Sequence, residues 1–233
     1  QVFAIMSGTA EKEQIKAICK SADKYLFDEK AGGYRLNTDF KEEKFDLGRM
    51  FGFAYGEKEN GAVFSHMAVM YANALYKQGF IKEGYKVLKT LLDTAMDFDR
   101  SRMYPGVPEY FDNDGRGLYS YLTGAASWYM LTMIASVYGV HGELGDLVIS
   151  PALMPEQYNE NGDAEVSLEF AGHEFDILVH NSDKIAPEYA QIKRACCDGI
   201  RVETVTEKSV RISKHAIDKL SADRHHTVDI YIE

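Results

Sequence analysis

Three side chains that could bind a carbohydrate or an anion lie close together in the sequence, at Lys58, Glu59 and His66. The Lys58 ammonium could donate hydrogen bonds to sugar hydroxyls, the Glu59 carboxylate could accept them, and the His66 imidazole could donate to an anionic oxygen. In a second interpretation, Lys58 and Glu59 face solvent, Asn60 caps the following helix, and His66 is a hydrogen-bonded core residue. The spacing alone leaves both interpretations open.

A second group of residues could bind an anion at the start of a helix. Arg116 precedes the segment Leu122-Thr123-Gly124-Ala125-Ala126. If a helix begins at Thr123-Gly124, its first N–H groups lack intrahelical partners and can face an anion with no side chain in the way. The Thr123 hydroxyl would add a donor. A turn followed by a close-packed helix face is the structural alternative.

The net charge and the number of cysteines exclude several classes of function. The chain has 26 Lys and Arg against 36 Asp and Glu, for a net charge of −10, which argues against binding to nucleic acid or an anionic membrane. Three cysteines are too few for a disulfide framework and indicate a reducing compartment, so we expect a cytoplasmic protein. No zinc-type spacing occurs, and no metal site is predicted.

The first part of the chain has the sequence patterns of two kinds of helix, one that buries a single face and one that buries nearly every side. Residues 10–26 and 81–98 have apolar side chains on one face, whereas 61–78 and 119–138 are apolar on nearly every side. An alternation of one-sided and fully buried helices is typical of a two-layer helical toroid. These helices are too few to close one, and the chain begins at Gln1, so we expect a partial barrel over residues 1–150.

The pattern changes after Pro151 to short segments of alternating apolar and polar residues. Asp198-Gly199 lies between two of them and predicts a hairpin with a type I′ turn. Short strands at this spacing favour a small antiparallel β-sandwich, jelly-roll-like, over residues 151–233. The predicted fold class is therefore α+β in two parts.

Two separated motifs resemble signature stretches of a known enzyme family. Lys58-Glu59-Asn60-Gly61…Phe64-Ser65-His66 and Tyr121-Leu122-Thr123-Gly124-Ala125-Ala126-Ser127-Trp128 are similar to segments of the inverting sugar phosphorylases of the cellobiose and chitobiose phosphorylase type, family 94 of the glycoside hydrolases. The segment from Gly145 to Pro151 also resembles the family's C-terminal third. The resemblance covers roughly residues 5–180 and implies the end of an (α/α)₆ barrel followed by a small β-sandwich.

The resemblance also implies roles for individual residues. His66, Thr123 and Gly124 would hold phosphate, while Lys58 and Glu59 would bind the sugar. Glu109, in the proline-stiffened loop Tyr104–Tyr110, is a further candidate sugar contact. The family's general acid is an aspartate upstream of every residue here, so the catalytic residue is unassigned and we expect this chain alone to be inactive.

The implied activity is phosphorolysis of a β-linked gluco-oligosaccharide with inversion, giving a sugar 1-phosphate, with phosphate as co-substrate and no cofactor. The implied partners are the oligosaccharide, phosphate, the remainder of the barrel and a possible second copy of the protein. Because the stretch between the motifs is shorter than in cellobiose phosphorylase, β-1,4-, β-1,3- and β-1,2-linkages stay open. The alternatives are a non-catalytic carbohydrate-binding or interaction module and an (α/α)₆-barrel hydrolase that uses water.

Overall fold

A computed structural model of the chain describes residues 1–104, 106–120, 124–202 and 204–233. The chain divides into two compact units, Gln1–Thr132 and Met133–Glu233. This division falls earlier than the boundary at 150/151 expected from the sequence. Its physical reason is that residues 140–149 form a β-hairpin that pairs with a strand near residue 210, and so they fold with the C-terminal strands.

The first unit is mostly helical, with short strands between the helices. Its helices are α1 (Val2–Met6), α2 (Lys12–Tyr25), α3 (Ser65–Lys77), α4 (Ile81–Met96), α5 (Phe98–Ser101) and α6 (Gly124–Thr132). Its strands are β1 (Phe27–Asp28), β2 (Gly33–Tyr34), β3 (Val63–Phe64), β4 (Tyr110–Phe111) and β5 (Gly117–Leu118), and residues Phe45–Gly52 form 3₁₀ turns.

Helix α3 is the core of this unit. Every residue from Ala68 to Tyr76 is buried, because α1, α4 and α6 all pack against it. Helix α4 is amphipathic, with Val87, Leu88 and Leu91 buried among exposed charges. The predictions of a buried helix over 61–78 and a one-sided helix over 81–98 are therefore confirmed, with the first starting later than expected.

Helix α6 differs from its prediction as a helix buried on every side. Only Ala125 and Thr132 are buried, whereas Met130 is 65% and Leu131 50% exposed. The helix continues into a single π turn at Met133–Val137. Its apolar sequence predicts neighbours on more than one side; in the described residues it packs against α3, and the Tyr129 hydroxyl donates to the Leu88 carbonyl of α4 at 3.3 Å.

The second unit consists of two β-sheets that share one apolar core. Its strands are β6 (Val140–Glu143), β7 (Asp146–Ile149), β8 (Asp163–Phe170), β9 (His173–His180), β10 (Ile192–Cys197), β11 (Ile200–Arg201), β12 (Thr204–Thr206), β13 (Ser209–Ile212) and β14 (His226–Ile232). It also contains the short helix α7 (Lys214–Ile217) and a 3₁₀ turn at Pro155–Gln157.

The sheets run in the orders β12-β13-β7-β6 and β11-β10-β14-β9-β8. Side chains from both sheets form the core, for example Ile149 and Val210 from the first and Ile177 and Ile230 from the second. Among the described strands of this unit, the pairs are antiparallel except β9 and β14, which are parallel. The antiparallel prediction is thus wrong for this pair, whose members are separated by a long connection rather than a hairpin turn.

The turn between β10 and β11 has the predicted conformation. Asp198 and Gly199 both have positive φ, 49° and 77°, and Cys197 pairs with Ile200 across the turn. Two consecutive positive φ values define a type I′ turn, for which Asp-Gly is among the preferred sequences. The hairpin prediction is confirmed.

A histidine joins three strands of the larger sheet. His180 on β9 contacts Asp163 of β8 through Nδ1 at 2.7 Å and Asp229 of β14 through Nε2 at 3.0 Å. Its ring stacks on Tyr231, and the guanidinium of Arg194 lies over the same tyrosine ring. Because both ring nitrogens face carboxylates, the imidazole donates at both positions only when it is charged.

This geometry predicts a pH-dependent contribution of His180 to the stability of the second unit. Burial alone would lower the pKa of His180, but hydrogen bonds and attraction to the two carboxylates raise it above its ordinary value. The stabilisation is then complete below the unfolded-state pKa of about 6.5 and is lost as pH rises through the folded-state pKa. We expect His180→Gln to cost about 1 kcal/mol at pH 6 and much less at pH 9.

Hydrogen exchange of the β9 and β14 amides measures this difference within the second unit. The control is His141→Gln, since His141 is exposed and its Nδ1 contacts only a backbone carbonyl in the described part of the chain. An effect of His180→Gln that is equal at both pH values would contradict the charged bridge.

Candidate functional site

A small three-stranded sheet positions the residues singled out from the sequence. Strand β3 leads directly into α3 and pairs with β4, and β4 pairs in turn with β5. The N–H of Ser65, the first residue of α3, donates to the carbonyl of Glu109 at 2.9 Å. The start of α3 is therefore tied to the segment that carries Glu109.

His66 is the second residue of α3, so it lies in the first turn of the helix and not deep within it. The ring is half-buried, and its centroid lies 5.6 Å from that of Trp128. Its Nε2 atom is buried and has no hydrogen-bond partner among the described residues. Buried polar atoms are usually paired, so this nitrogen is a candidate contact for a ligand.

Gly124, the first residue of α6, lies directly against the His66 ring. A Cβ atom added at Gly124 would stand 2.5 Å from Cε1, 2.7 Å from Nδ1 and 2.8 Å from Nε2 of that ring. The absence of a side chain thus permits the approach. Thr123 lies outside the described residues, so the structure brings together two members of the expected phosphate-binding group.

This arrangement is suited to an anion. An imidazole nitrogen with no partner and the opening backbone of a helix are both hydrogen-bond donors that a phosphate oxygen can use. The nearby Oγ of Ser65 is also buried, and it too has no partner within the described part of the chain. Leaving such groups unpaired costs free energy in the empty protein, which a bound polar ligand would remove.

Lys58 is enclosed by two neighbours. Its Nζ atom lies 3.3 Å from Oε2 of Glu109 and 3.7 Å from the centroid of the Tyr119 ring. Desolvation alone would lower the pKa of Lys58, but the Glu109 carboxylate and Tyr119 together raise it, so the side chain stays charged. Two of the three predicted sugar-binding residues, Lys58 and Glu109, therefore form one ion pair.

Glu59 points one carboxylate oxygen toward a cation and leaves the other unpaired. Its Oε1 lies 3.4 Å from the guanidinium of Arg49. Its Oε2 is buried and has no hydrogen-bond partner among the residues described. An unpaired acceptor beside Lys58 in the sequence fits a hydroxyl-rich ligand.

Backbone and side-chain hydrogen bonds hold the loop that carries Lys58 and Glu59. Asn60 does not cap α3; its Nδ2 donates to the carbonyl of Phe53 at 2.9 Å. The N–H of Gly61 donates to Oδ1 of Asn37 at 2.9 Å, and Arg35 donates to the Gly61 carbonyl at 2.7 Å. The interpretation of Asn60 as a helix cap is therefore wrong, because the extended strand β3 separates it from the helix.

Sequence reasoning missed Tyr119, Ser65 and Arg49, which also contribute to this region. Tyr119 is an exposed aromatic residue with a positive φ of 62°, a conformation that no local pattern predicts. Ser65 precedes His66 in the motif quoted above, and this position is the sequence feature that could have identified it as part of the site. Arg49 reaches Glu59 from a separate 3₁₀ segment.

No group of three or more His, Cys, Asp or Glu side chains among the described residues is arranged to hold a metal ion. Among the helices described, none combines the length and the apolar content that crossing a lipid bilayer requires.

The chain matches a known protein family. Residues 1–139 match the model of the glycosyl hydrolase 94 superfamily, catalytic domain. The chain therefore belongs to the glycosyl hydrolase 94 superfamily, and the resemblance stated from the two motifs is confirmed.

Curated relatives carry the names of phosphorylases. The chain is 27% identical over 209 residues to a cellobionic acid phosphorylase of Neurospora crassa, an alignment that covers 80% of this chain and 26% of that protein. It is 25% identical to a solabiose phosphorylase of Paenibacillus borealis (85% and 26% covered) and 27% identical to an N,N'-diacetylchitobiose phosphorylase of Vibrio proteolyticus (79% and 23%). The chain thus spans about a quarter of the length of these relatives.

Proposed function

We propose that this chain supplies the phosphate-binding and part of the sugar-binding site of an inverting phosphorylase that acts on β-linked gluco-oligosaccharides. The observation that carries the proposal is the contact between the His66 ring and Gly124, where Nε2 of His66 is buried and has no hydrogen-bond partner in the part of the chain that the structure describes. His66, Thr123 and Gly124 would bind phosphate, and Lys58, Glu59 and Glu109 would bind the sugar. Membership in the glycosyl hydrolase 94 superfamily and the phosphorylase relatives support this assignment.

The reaction needs little covalent chemistry from these residues. A phosphate oxygen attacks the anomeric carbon from the face opposite the leaving group, forming a C–O bond as the glycosidic C–O bond breaks. A general acid from another part of the protein delivers a proton to the departing oxygen. Since phosphate is the nucleophile, the contribution of this chain is to hold and orient the anion, with no cofactor beyond it.

The helical unit would form part of an (α/α)₆ barrel, with the β-sandwich following it. Helix α3 is buried as an inner helix would be, and α4 is one-sided as an outer helix would be. The exposed apolar side chains Met130 and Leu131 on α6 would be covered by the rest of the barrel. We place the complete protein in the cytoplasm, where inorganic phosphate is plentiful.

A product assay on the complete protein that contains this chain tests the proposal. Candidate substrates are β-linked glucosides and the disaccharides that the relatives' names indicate, cellobionic acid, solabiose and N,N'-diacetylchitobiose. We expect turnover only with phosphate, and a sugar 1-phosphate product of the α configuration, identified by NMR. Release of free sugar without phosphate would establish a hydrolase instead, and sugar binding without turnover would establish a binding module.

A further inference from the structure

Tyr119 closes a triangle of contacts with Lys58 and Glu109. The Tyr119 ring lies against the Lys58 ammonium, whose other neighbour is the Glu109 carboxylate. The backbone completes the triangle, because the N–H of Glu109 donates to the Tyr119 carbonyl at 3.1 Å. We propose that Tyr119 is a positioning residue that fixes the Lys58 ammonium for sugar binding.

The need for a positioning residue follows from the side chain of lysine. Its four-carbon stem has many rotamers, and an unrestrained ammonium would lose that freedom each time a ligand bound. Lys58 is only 16% exposed and lies between a ring and a carboxylate, so this freedom is already lost in the folded protein. A ligand that uses the ammonium then meets a donor already in place.

Tyr119 is itself firmly held. Its φ of 62° lies in the left-handed region, where a non-glycine residue persists only if its surroundings impose the conformation. The Tyr110 ring packs beside it, with centroids 6.0 Å apart, and β4 carries Tyr110 within the same small sheet. The strained backbone directs the ring over Lys58, and a regular extension of β5 would place it elsewhere.

The contact itself can be tested without any catalytic activity. The probe is the rate at which acetic anhydride modifies the Lys58 amine at several pH values, measured by mass spectrometry of peptides. We expect Tyr119→Leu to raise the modification rate of Lys58 at least threefold, because the charged amine loses the ring that shields and stabilises it. Tyr119→Phe keeps the ring and loses only the hydroxyl that also hydrogen-bonds Lys58, so its effect is expected to be smaller than that of Tyr119→Leu, about a factor of 1.5.

Lys86 is the internal control for this measurement. It also pairs with a carboxylate, Asp23 at 2.7 Å, and lies over an aromatic ring, that of Phe27 at 4.4 Å. Its reactivity should be unchanged in both Tyr119 variants. Equal reactivity of Lys58 in the native protein and Tyr119→Leu would overturn the proposal, as would a parallel rise at Lys86, which would indicate general loosening.

The role in sugar binding rests on the proposed function and has its own readout. In the synthetic direction, Tyr119→Leu should raise KM for the acceptor sugar about fivefold and leave KM for the sugar 1-phosphate unchanged. Tyr119→Phe should restore the native value. An equal rise in both constants, or none, would exclude a sugar-positioning role. If the native protein makes no sugar 1-phosphate, the proposed function fails, while the amine-modification result still decides whether Tyr119 holds Lys58.

Discussion

His66→Phe is expected to lower kcat/KM for phosphate about 100-fold in the complete protein, because it removes one hydrogen-bond donor to the bound phosphate. The substituted ring can keep the packing against Trp128, whose centroid lies 5.6 Å away. At Nε2 the substitution leaves no acceptor of the described residues unpaired, since that atom has no partner among them. The free energy of unfolding should therefore change by less than about 1 kcal/mol.

Initial rates at varied phosphate concentration, combined with denaturant unfolding, separate the two effects. His66→Gln retains an N–H donor and should recover part of the lost activity. His141→Phe serves as the control, because His141 is exposed in the second unit. Native phosphate kinetics in His66→Phe would contradict the assignment of His66 to the phosphate site, and a large loss of stability would assign it to the core instead.

Local sequence patterns predicted those elements whose identity depends on neighbouring residues. The apolar faces of α3 and α4 repeat at helical spacing, and the Asp198-Gly199 turn depends on two adjacent residues that accept positive φ. Features set by distant parts of the chain were not predictable. The parallel pairing of β9 with β14, and the addition of β6 and β7 to the second unit, depend on contacts across many residues.

The candidate site shows the same distinction. Residue type and order indicated Lys58, Glu59, His66 and Gly124 as candidates, since cations, carboxylates, imidazoles and glycines at a helix start have recognisable chemistry. The sequence could not indicate that Lys58 would pair with Glu109 or lie under Tyr119, because those residues flank the distant strands β4 and β5. Whether His66 had a partner also depended on the folded environment, and for Nε2 the described residues supply none.

Gly124→Ala is expected to reduce kcat/KM for phosphate at least tenfold without lowering stability. The added methyl group would stand 2.5 Å from the His66 ring, well inside van der Waals contact, so the ring must move. Gly124 does not have a positive φ, so alanine fits the backbone there, and at a helical position it is intrinsically favoured by up to about 1 kcal/mol. The helical preference of alanine offsets the cost of displacing the half-buried His66 ring, so we expect no net loss of stability.

Gly52→Ala is the matched control, because Gly52 also lacks a positive φ and an added Cβ would meet no atom within 4 Å. Both variants add one methyl group, and only Gly124→Ala places it between the imidazole and the helix start. If the two variants bind phosphate equally well, the anion cannot lie between His66 and Gly124. If Gly124→Ala loses phosphate binding and stays folded, the close approach of these residues is needed for the ligand and not for the fold.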